Sequence, residues 1–372
     1  MPVIRTDARS SFVCDYVAGI NRVLSLPPYL LVDNIGRNFE MWQFQTGAHE
    51  PSARARYDLT SFPGAPIASL LDVDIHAAFV RNDGRELLAV NHFGRVRRFE
   101  LPPAGERMQP AWERQLLGDM ERLVMAGDCF IASSPRGEHT DDPAQPGVFL
   151  FAPAPGDSGR LGCDQELAGW GVTTALAVPA AGDRLAVAAG QRLGMFTLAF
   201  EGSKVRGSEG RRVRLGARLW EAPLSFHCQW LHFDATGHLW AGGHRPHAAG
   251  ADTGDWDACC GGGVERFAAD SGGRRAIATL PEATAWGYGA DPIVLAPDGH
   301  RLYVVCRDGS LQAIDVASGA SHELCNDFAA LDEVATPSLG IGHAALRDGQ
   351  LYAGFSRGGF RLLRYDLGHT RS

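Results

Sequence analysis

The stretch whose residue types best suit catalysis or metal binding is Leu71 to His76, which reads LDVDIH. Alternate side chains of a strand point to the same face, so Asp72, Asp74 and His76 would share one side of it. Ionisable groups gathered on one buried face are costly unless they are paired, bound to metal or hydrated. The stretch therefore indicates either a carboxylate–imidazole set for metal binding or acid–base work, or a hydrogen-bonded network that pins neighbouring strands.

Other polar and aromatic residues occupy similar places, just before or at the start of an apolar run. The predicted catalytic residues are Asp74, His76, His227 and His343. The predicted metal ligands are His76, His227, His343 and Asp291, which would suit one divalent ion, Zn, Fe, Mn or Ca. Without a metal, a histidine base oriented by a carboxylate is the alternative. The predicted substrate-binding residues are Glu121, Trp170, Gln229, Trp286 and Tyr288, although the aromatic ones also suit ordinary packing.

A second candidate site lies in the irregular segment at about 244–262. It contains His244, His247 and the adjacent pair Cys259 and Cys260, but this spacing matches no common zinc finger or ribbon. The segment is therefore a metal site, a lid over a channel or a plain surface loop. A lid would have to leave the fold on the face where His227 and Asp74 emerge.

Repeated strand patterns are the elements that must position these residues. Ala290 to Gly319 reads as three short apolar strands joined by turns at Asp298-Gly299 and Asp308-Gly309. Seven such copies recur at roughly fifty-residue spacing, a period typical of propeller blades. The pattern predicts an all-β, seven-bladed β-propeller, with six or eight blades as alternatives.

The predicted blades are four-stranded and antiparallel and surround a central channel. We expect one domain over residues 1–372, with the insertion at about 244–262. A strand near the N-terminus, at Val3 to Arg5 or Phe12 to Tyr16, would complete the last sheet and remove its free edge.

The order of apolar run, Asp-Gly, Leu-Tyr or Leu-Trp, Gly turn and Phe-Asp or Tyr-Asp resembles YVTN-type and lactonase-type β-propeller repeats. His232 to Gly243 and Asp291 to Asp308 are also similar to parts of the gluconolactonase and senescence-marker family. The resemblance implies a six-bladed propeller with a divalent cation on its axis. Where that family has an Asn-Gly pair and an Asp ligand, this chain has Asp291-Pro292 and Cys306. A thiol cannot replace a hard oxygen ligand of Ca²⁺ or Mg²⁺, so the resemblance favours the fold over lactonase activity.

The composition of the chain restricts the classes of molecule that it could bind. The net charge of −8 argues against sequence-independent nucleic-acid binding. We find neither the pattern of a signal peptide nor an apolar run of the ~18 residues that a membrane span needs. The sequence therefore predicts a cytoplasmic protein without nucleic-acid or membrane partners, whose eight cysteines are mostly reduced.

Three functions are compatible with these residues. The first is an enzyme at the channel mouth, a hydrolase, lyase or isomerase that acts on a small polar molecule such as a lactone or ester. It would use metal-assisted or His/carboxylate acid–base chemistry. The alternatives are a non-catalytic protein-interaction platform that binds its partner on the top face, and a small-ligand sensor. The enzyme is favoured here because the ionisable residues on the inner strands outnumber those that ring closure requires.

Overall fold

The computed structural model describes residues 9–15, 20–27, 29–34, 38–43, 53–58, 75–81, 85–91, 95–100, 110–115, 122–127, 129–134, 147–151, 158–160, 170–201, 212–246, 259–287, 290–325, 342–355 and 361–367. Every regular element in these ranges is a β-strand, so the all-β prediction is confirmed. None of the described residues belongs to a helix that could span a membrane.

Within the described ranges, the strands form seven antiparallel sheets of four strands each. Sheet 1 contains β2 (Ile20–Leu26), β3 (Tyr29–Asn34), β4 (Asn38–Gln43) and β5 (Ala53–Asp58). Sheet 2 contains β6 (Ile75–Arg81), β7 (Glu86–Asn91), β8 (Arg95–Glu100) and β9 (Pro110–Gln115). Sheet 3 contains β10 (Arg122–Ala126), β11 (Cys129–Ser134), β12 (Gly147–Phe151) and β13 (Ser158–Arg160).

The remaining sheets follow in chain order. Sheet 4 contains β14 (Ala175–Ala177), β15 (Arg184–Ala189), β16 (Arg192–Glu201) and β17 (Arg212–Pro223). Sheet 5 contains β18 (His227–Phe233), β19 (Leu239–His244), β20 (Gly263–Phe267) and β21 (Arg274–Thr279). Sheet 6 contains β22 (Ile293–Leu295), β23 (Arg301–Val305), β24 (Leu311–Asp315) and β25 (Ser321–Cys325). Sheet 7 contains β26 (Gly342–Arg347), β27 (Gln350–Phe355), β28 (Arg361–Asp366) and, from the other end of the chain, β1 (Arg9–Asp15).

Tight turns explain why short strands follow one another as meanders. In sheet 6, Gly299 and Gly309 adopt φ values of 69° and 79°, which glycine reaches without steric cost. The preceding aspartates hold these turns, since Asp298 accepts a hydrogen bond from the amide of His300 and Asp308 one from the amide of Ser310. The Asp-Gly turns read from the sequence are therefore confirmed.

The N-terminal strand prediction is also confirmed in its second form. β1 pairs antiparallel with β28, with Arg9 opposite Asp366 and Asp15 opposite Arg361. Val3 to Arg5, the other candidate, lies outside the described residues. Sheet 7 is thus built from both ends of the sequence, which covers the edge that β28 would otherwise expose.

The apolar core lies between the sheets. Seven clusters of buried side chains each combine residues of two neighbouring sheets, and every sheet contributes to two of them. Between sheets 7 and 1, for example, Trp42 meets Tyr352 edge to face, with ring centroids 6.5 Å apart. Because both faces of each sheet are covered, inner strands are buried along their length, as β19 (LWAGGH) illustrates, whereas an outer strand such as β21 (RRAIAT) is partly exposed.

The first strands of the sheets run beside one another. β2 packs against β6, β6 against β10, β10 against β14, β14 against β18, β22 against β26 and β26 against β2. We call the end at which these first strands begin the upper end, and the opposite end the lower end. This is the arrangement of a β-propeller.

Candidate functional site

Arg122 joins three consecutive first strands at the upper end. It is the first residue of β10. Its Nε donates to the carbonyl oxygen of Thr174, at 3.0 Å, and its Nη2 to that of Gln229, at 2.8 Å. A guanidinium presents several donors in a fixed fork, which suits it to bridge two backbone acceptors. One side chain of sheet 3 therefore fixes the starts of sheets 4 and 5.

Thr174 continues this network from the residue just before β14. Its hydroxyl donates to the carbonyl oxygen of Cys228, at 2.5 Å, and its amide to that of Ala188, at 2.8 Å. Ser133, the partner of Arg122 in the strand register, donates its hydroxyl to the carbonyl oxygen of Thr173, at 3.3 Å. Sheets 3, 4 and 5 are thus linked by hydrogen bonds at their upper ends.

The imidazole of His343 lies against a guanidinium. Nη1 of Arg22 is 3.0 Å from Nδ1 and 3.3 Å from Nε2 of His343, and both side chains are buried. On its other side, His343 forms a parallel bridge with Asp291, whose carbonyl oxygen accepts from the amide of Ala344 at 3.0 Å. The structure therefore brings together two predicted metal ligands, His343 and Asp291, at the junction of sheets 6, 7 and 1.

Asp33 makes the corresponding link between sheets 1 and 2. It is fully buried, lies opposite Arg22 in the β2–β3 register, and accepts a 2.8 Å hydrogen bond from the amide of Ile75. The sequence reading missed Arg22 and Asp33. A signal exists, because β3, β7 and β11 each place a buried polar residue after an apolar run. These residues are Asp33, Asn91 and Ser133.

A cavity of about 280 Å³, which we call the axial cavity, lies between the first strands. Its lining combines side chains of five first strands with Asp291, which precedes β22. The polar residues of the described lining are Arg122, Gln229 and Asp291, and the apolar ones include Leu24, Phe79 and Trp230. Two predicted site residues, Gln229 and Asp291, therefore share one cavity.

Bulges set which side chains the first strands turn toward that cavity. In β18, Cys228 pairs with Gly243 but Trp230 with Gly242, so Gln229 is the extra residue. In β6, His76 is the extra residue between Ile75 and Ala77. A bulge leaves one residue out of the ladder and redirects its side chain. The bulge at Gln229 thus redirects its side chain from the ladder to the cavity, which Gln229 lines.

The two predicted catalytic residues with described side chains, His227 and His343, lie in different sheets. His227 stacks on His244, its partner across β18 and β19, with ring centroids 4.9 Å apart and an interplanar angle of 14°. Asp74 and the side chain of His76 lie outside the described residues, as do Glu121 and Tyr288. Where the structure describes the chain, no group of three or more His, Cys, Asp or Glu residues could hold a metal ion.

The two predicted tryptophans lie in the packing between sheets. Trp286 is fully buried between sheets 5 and 6, and its Nε1 donates to the carbonyl oxygen of Gly261 at 3.1 Å. Trp170 packs with Phe196 between sheets 3 and 4, and the guanidinium of Arg192 lies 4.5 Å from its ring centroid. Neither residue lines the axial cavity.

The insertion leaves the fold at the upper end. β19 ends at His244, opposite the first residue of β18, and β20 begins at Gly263. The described ends of the insertion are fixed, because Arg307 donates to the carbonyl oxygen of Cys259 at 2.8 Å. His247 lies outside the described residues. The insertion therefore departs beside His227, whereas Asp74, the other residue of the lid condition, lies outside the described residues.

The buried thiols do not have the character of metal ligands or nucleophiles. Burial raises the pKa of Cys228 to about 12 and that of Cys306 to about 12. Burial and the neighbouring Glu282 also raise the pKa of Cys260. Because the thiolate is the reactive and metal-binding form, the buried Cys228 and Cys306 behave as small core side chains, whereas Cys260 is only partly buried.

A second cavity, of about 340 Å³, opens at the lower end between sheets 4 and 5. Arg184 and Asp270 form an ion pair in its lining, which also includes Thr236 and His238. Both side chains are at least partly exposed and remain hydrated, so the ion pair contributes little to the stability of the fold.

Comparison with known proteins supports the fold alone. No protein-family model matches the sequence, and neither does any curated protein. The structure is similar to the β-propeller domain of Cps50 (Swd1) from Myceliophteria thermophila, at 12% identity and a TM-score of 0.59. The match covers 96% of this chain and 99% of the other. The chain therefore has a β-propeller fold, whereas its resemblance to the YVTN and gluconolactonase families gains no support.

Proposed function

We propose that the chain is a non-catalytic platform for protein interaction, built as a closed seven-bladed β-propeller. The cycle of seven apolar clusters supports closure, because each sheet shares one cluster with the sheet before it and one with the sheet after it. The pairing of β1 with β28 adds a link between the two chain ends. A closed ring gives a rigid base for long surface connections.

The observation that best supports this function is that buried polar side chains at the upper end form hydrogen bonds between neighbouring sheets. The enzyme hypothesis depended on a surplus of ionisable residues on the inner strands. Arg22, Asp33 and Arg122 instead hydrogen-bond between neighbouring sheets, and His343 is the partner of Arg22. Groups engaged in this way stabilise the ring and leave no acid–base pair among them to act on a substrate.

Connection length favours the upper end as the binding face. The connections of thirteen or more residues between successive strands all leave this end, and they are 59–74, 161–174, 245–262, 280–292 and 326–341. The longest connection at the lower end is 202–211. Long connections on a rigid fold are where binding residues concentrate.

The exposed side chains at the upper end include both apolar and charged residues. Val172, 40% exposed, precedes β14. Arg245 and Glu282 form an exposed ion pair at the base of the insertion. Exposed apolar and charged side chains at one end of the fold match the mixed composition of an ordinary protein interface, which suits a protein partner.

The test compares partner capture by surface variants. The tagged chain, incubated with extract of its native cells, should recover at least one protein whose yield falls about 10-fold or more in Val172→Asp and in Glu282→Arg. The matched controls are Leu219→Asp, an equally exposed apolar residue on β17, and Asp183→Arg at the lower end. Both controls should recover the same protein at the wild-type yield.

Folding of every variant is checked by its unfolding midpoint. Equal yields from all variants, or a loss confined to the two controls, would contradict binding at the upper end. Activity of the purified chain on a lactone or ester, lost in His343→Gln at an unchanged unfolding midpoint, would contradict the non-catalytic role.

A further inference from the structure

The axial cavity contains polar atoms that the bonds between sheets do not use. Gln229 is only 5% exposed and lines the cavity, and its Oε1 has no hydrogen-bond partner among the described residues. Gln229 is the bulged residue of β18, so its side chain is redirected from the ladder. An unpartnered buried amide oxygen is costly, and this cost is removed by a ligand that donates a hydrogen bond to it.

Arg122 offers a complementary group in the same cavity. Its Nε and Nη2 are bound to backbone carbonyls, which fixes the guanidinium plane. Its Nη1 makes no hydrogen bond with the part of the chain that the structure describes, and Arg122 lines the cavity. A fixed guanidinium with a remaining donor is suited to a carboxylate.

Asp291 supplies the opposite charge. It lies in the lining beside the start of β22, and its backbone is held by the amide of Ala344. The described lining therefore contains one cation and one anion. Apart from Gln229, the rest of the described lining is apolar, with Leu24, Phe79 and Trp230 among its members. A ligand with a single net charge would leave one of these two groups unmatched.

We infer that the axial cavity binds a small zwitterion of the α-amino acid class. Its carboxylate would face Arg122, its ammonium group would face Gln229 and Asp291, and its side chain would lie on the apolar wall. The volume of about 280 Å³ is at the lower limit of the ~300–1,000 Å³ typical of small-molecule pockets, which suits a ligand of this size. This site is independent of the protein-binding face at the upper end.

Isothermal titration of the purified chain with each free L-amino acid tests the inference. At least one amino acid should bind saturably, and Trp230 in the lining should report its binding through a change in fluorescence. Gln229→Leu should weaken that binding about 10-fold or more, because a buried donor then loses its acceptor. The matched control Gln312→Leu, on β24 outside the cavity, should leave it unchanged.

Ligand analogues and a second variant complete the design. Acetate and ethylamine each carry only one of the two charges and should bind at least 10-fold more weakly than the amino acid. If Gln229→Leu does not fold, Asp291→Asn takes its place with the same expected loss. The inference is overturned if no amino acid binds saturably up to about 10 mM, if either cavity variant binds like the wild type, or if acetate binds as tightly as the amino acid.

Discussion

Nη1 of Arg22 lies 3.0 Å from Nδ1 of His343, although 321 positions of the chain separate the two residues. Both side chains are buried at the upper end, where β2 packs against β26. A guanidinium remains charged at any accessible pH, so it requires an acceptor such as this ring. The contact therefore ties the first sheet to the last.

Removal of this guanidinium should lower stability without exposing the core. Arg22→Met retains much of the apolar stem but loses the hydrogen bond to His343, and we expect a loss of about 1.5–3 kcal/mol in the free energy of unfolding. Urea denaturation followed by tryptophan fluorescence measures it. Arg85→Met, at an exposed turn, is the matched control and should stay within about 0.5 kcal/mol of the wild type. An equal effect of the two substitutions would show that the contact is not stabilising.

Substitution of Arg122 should destabilise the fold more than substitution of Arg22, because Arg122 donates hydrogen bonds to two carbonyl groups. Arg122→Met leaves the carbonyl oxygens of Thr174 and Gln229 without their donor. We expect a loss of about 2–4 kcal/mol, with Arg122→Lys intermediate because an ammonium cannot reproduce the fork. The same urea titration applies. A loss in Arg122→Lys equal to that in Arg122→Met would mean that positive charge contributes nothing without the planar geometry.

Asp234 gives the fold a dependence on acid pH. Burial raises the pKa of its carboxyl group. Hydrogen bonds from Thr236, Trp240 and the amide of His238 outweigh this effect and hold the pKa below its ordinary value of 3.8. The stabilisation is therefore complete above that value and is lost as pH falls through the lower, folded-state pKa.

The prediction concerns the difference in unfolding free energy between the wild type and Asp234→Asn. This difference should be constant from neutral pH down to about pH 5 and should shrink below about pH 4. Urea titrations across this range measure it, with Asp183→Asn as the baseline for an exposed carboxylate. A difference that does not change with pH would contradict the role of the carboxylate.

Thiol labelling should separate core cysteines from the partly exposed one. Because burial raises the pKa of Cys228 and Cys306 to about 12, both should react with N-ethylmaleimide only when the chain unfolds. Cys260 is only partly buried and should react first among the described cysteines. Peptide mapping by mass spectrometry follows each site, and Cys260→Ser should remove the early product. Labelling of Cys306 as fast as Cys260 would contradict the packing between sheets 5, 6 and 7.

The fold was accessible from sequence because its signals are local. Asp298-Gly299 and Asp308-Gly309 specify turns through their own side chains and φ angles, whatever the rest of the chain does. The apolar strands between them then require neighbours on both faces.

The candidate site was less accessible because its contacts cross between sheets. Nothing near Arg22 in the sequence points to His343, and Asp33 meets the amide of Ile75 only after sheets 1 and 2 pack. Bulges add a second difficulty. In β18, the bulge at Gln229 redirects this side chain from the ladder, and no local sequence pattern predicts it.

Hydroxyl-radical footprinting of the chain with its captured partner tests the central claim most directly. An upper-end binding face predicts that Val172, Arg245 and Glu282 lose reactivity in the complex. The lower-end residues Thr236, His238 and Asp270 should react as in the free chain. Protection confined to the lower-end residues, or a chain that forms no stable complex with any protein, would contradict the account.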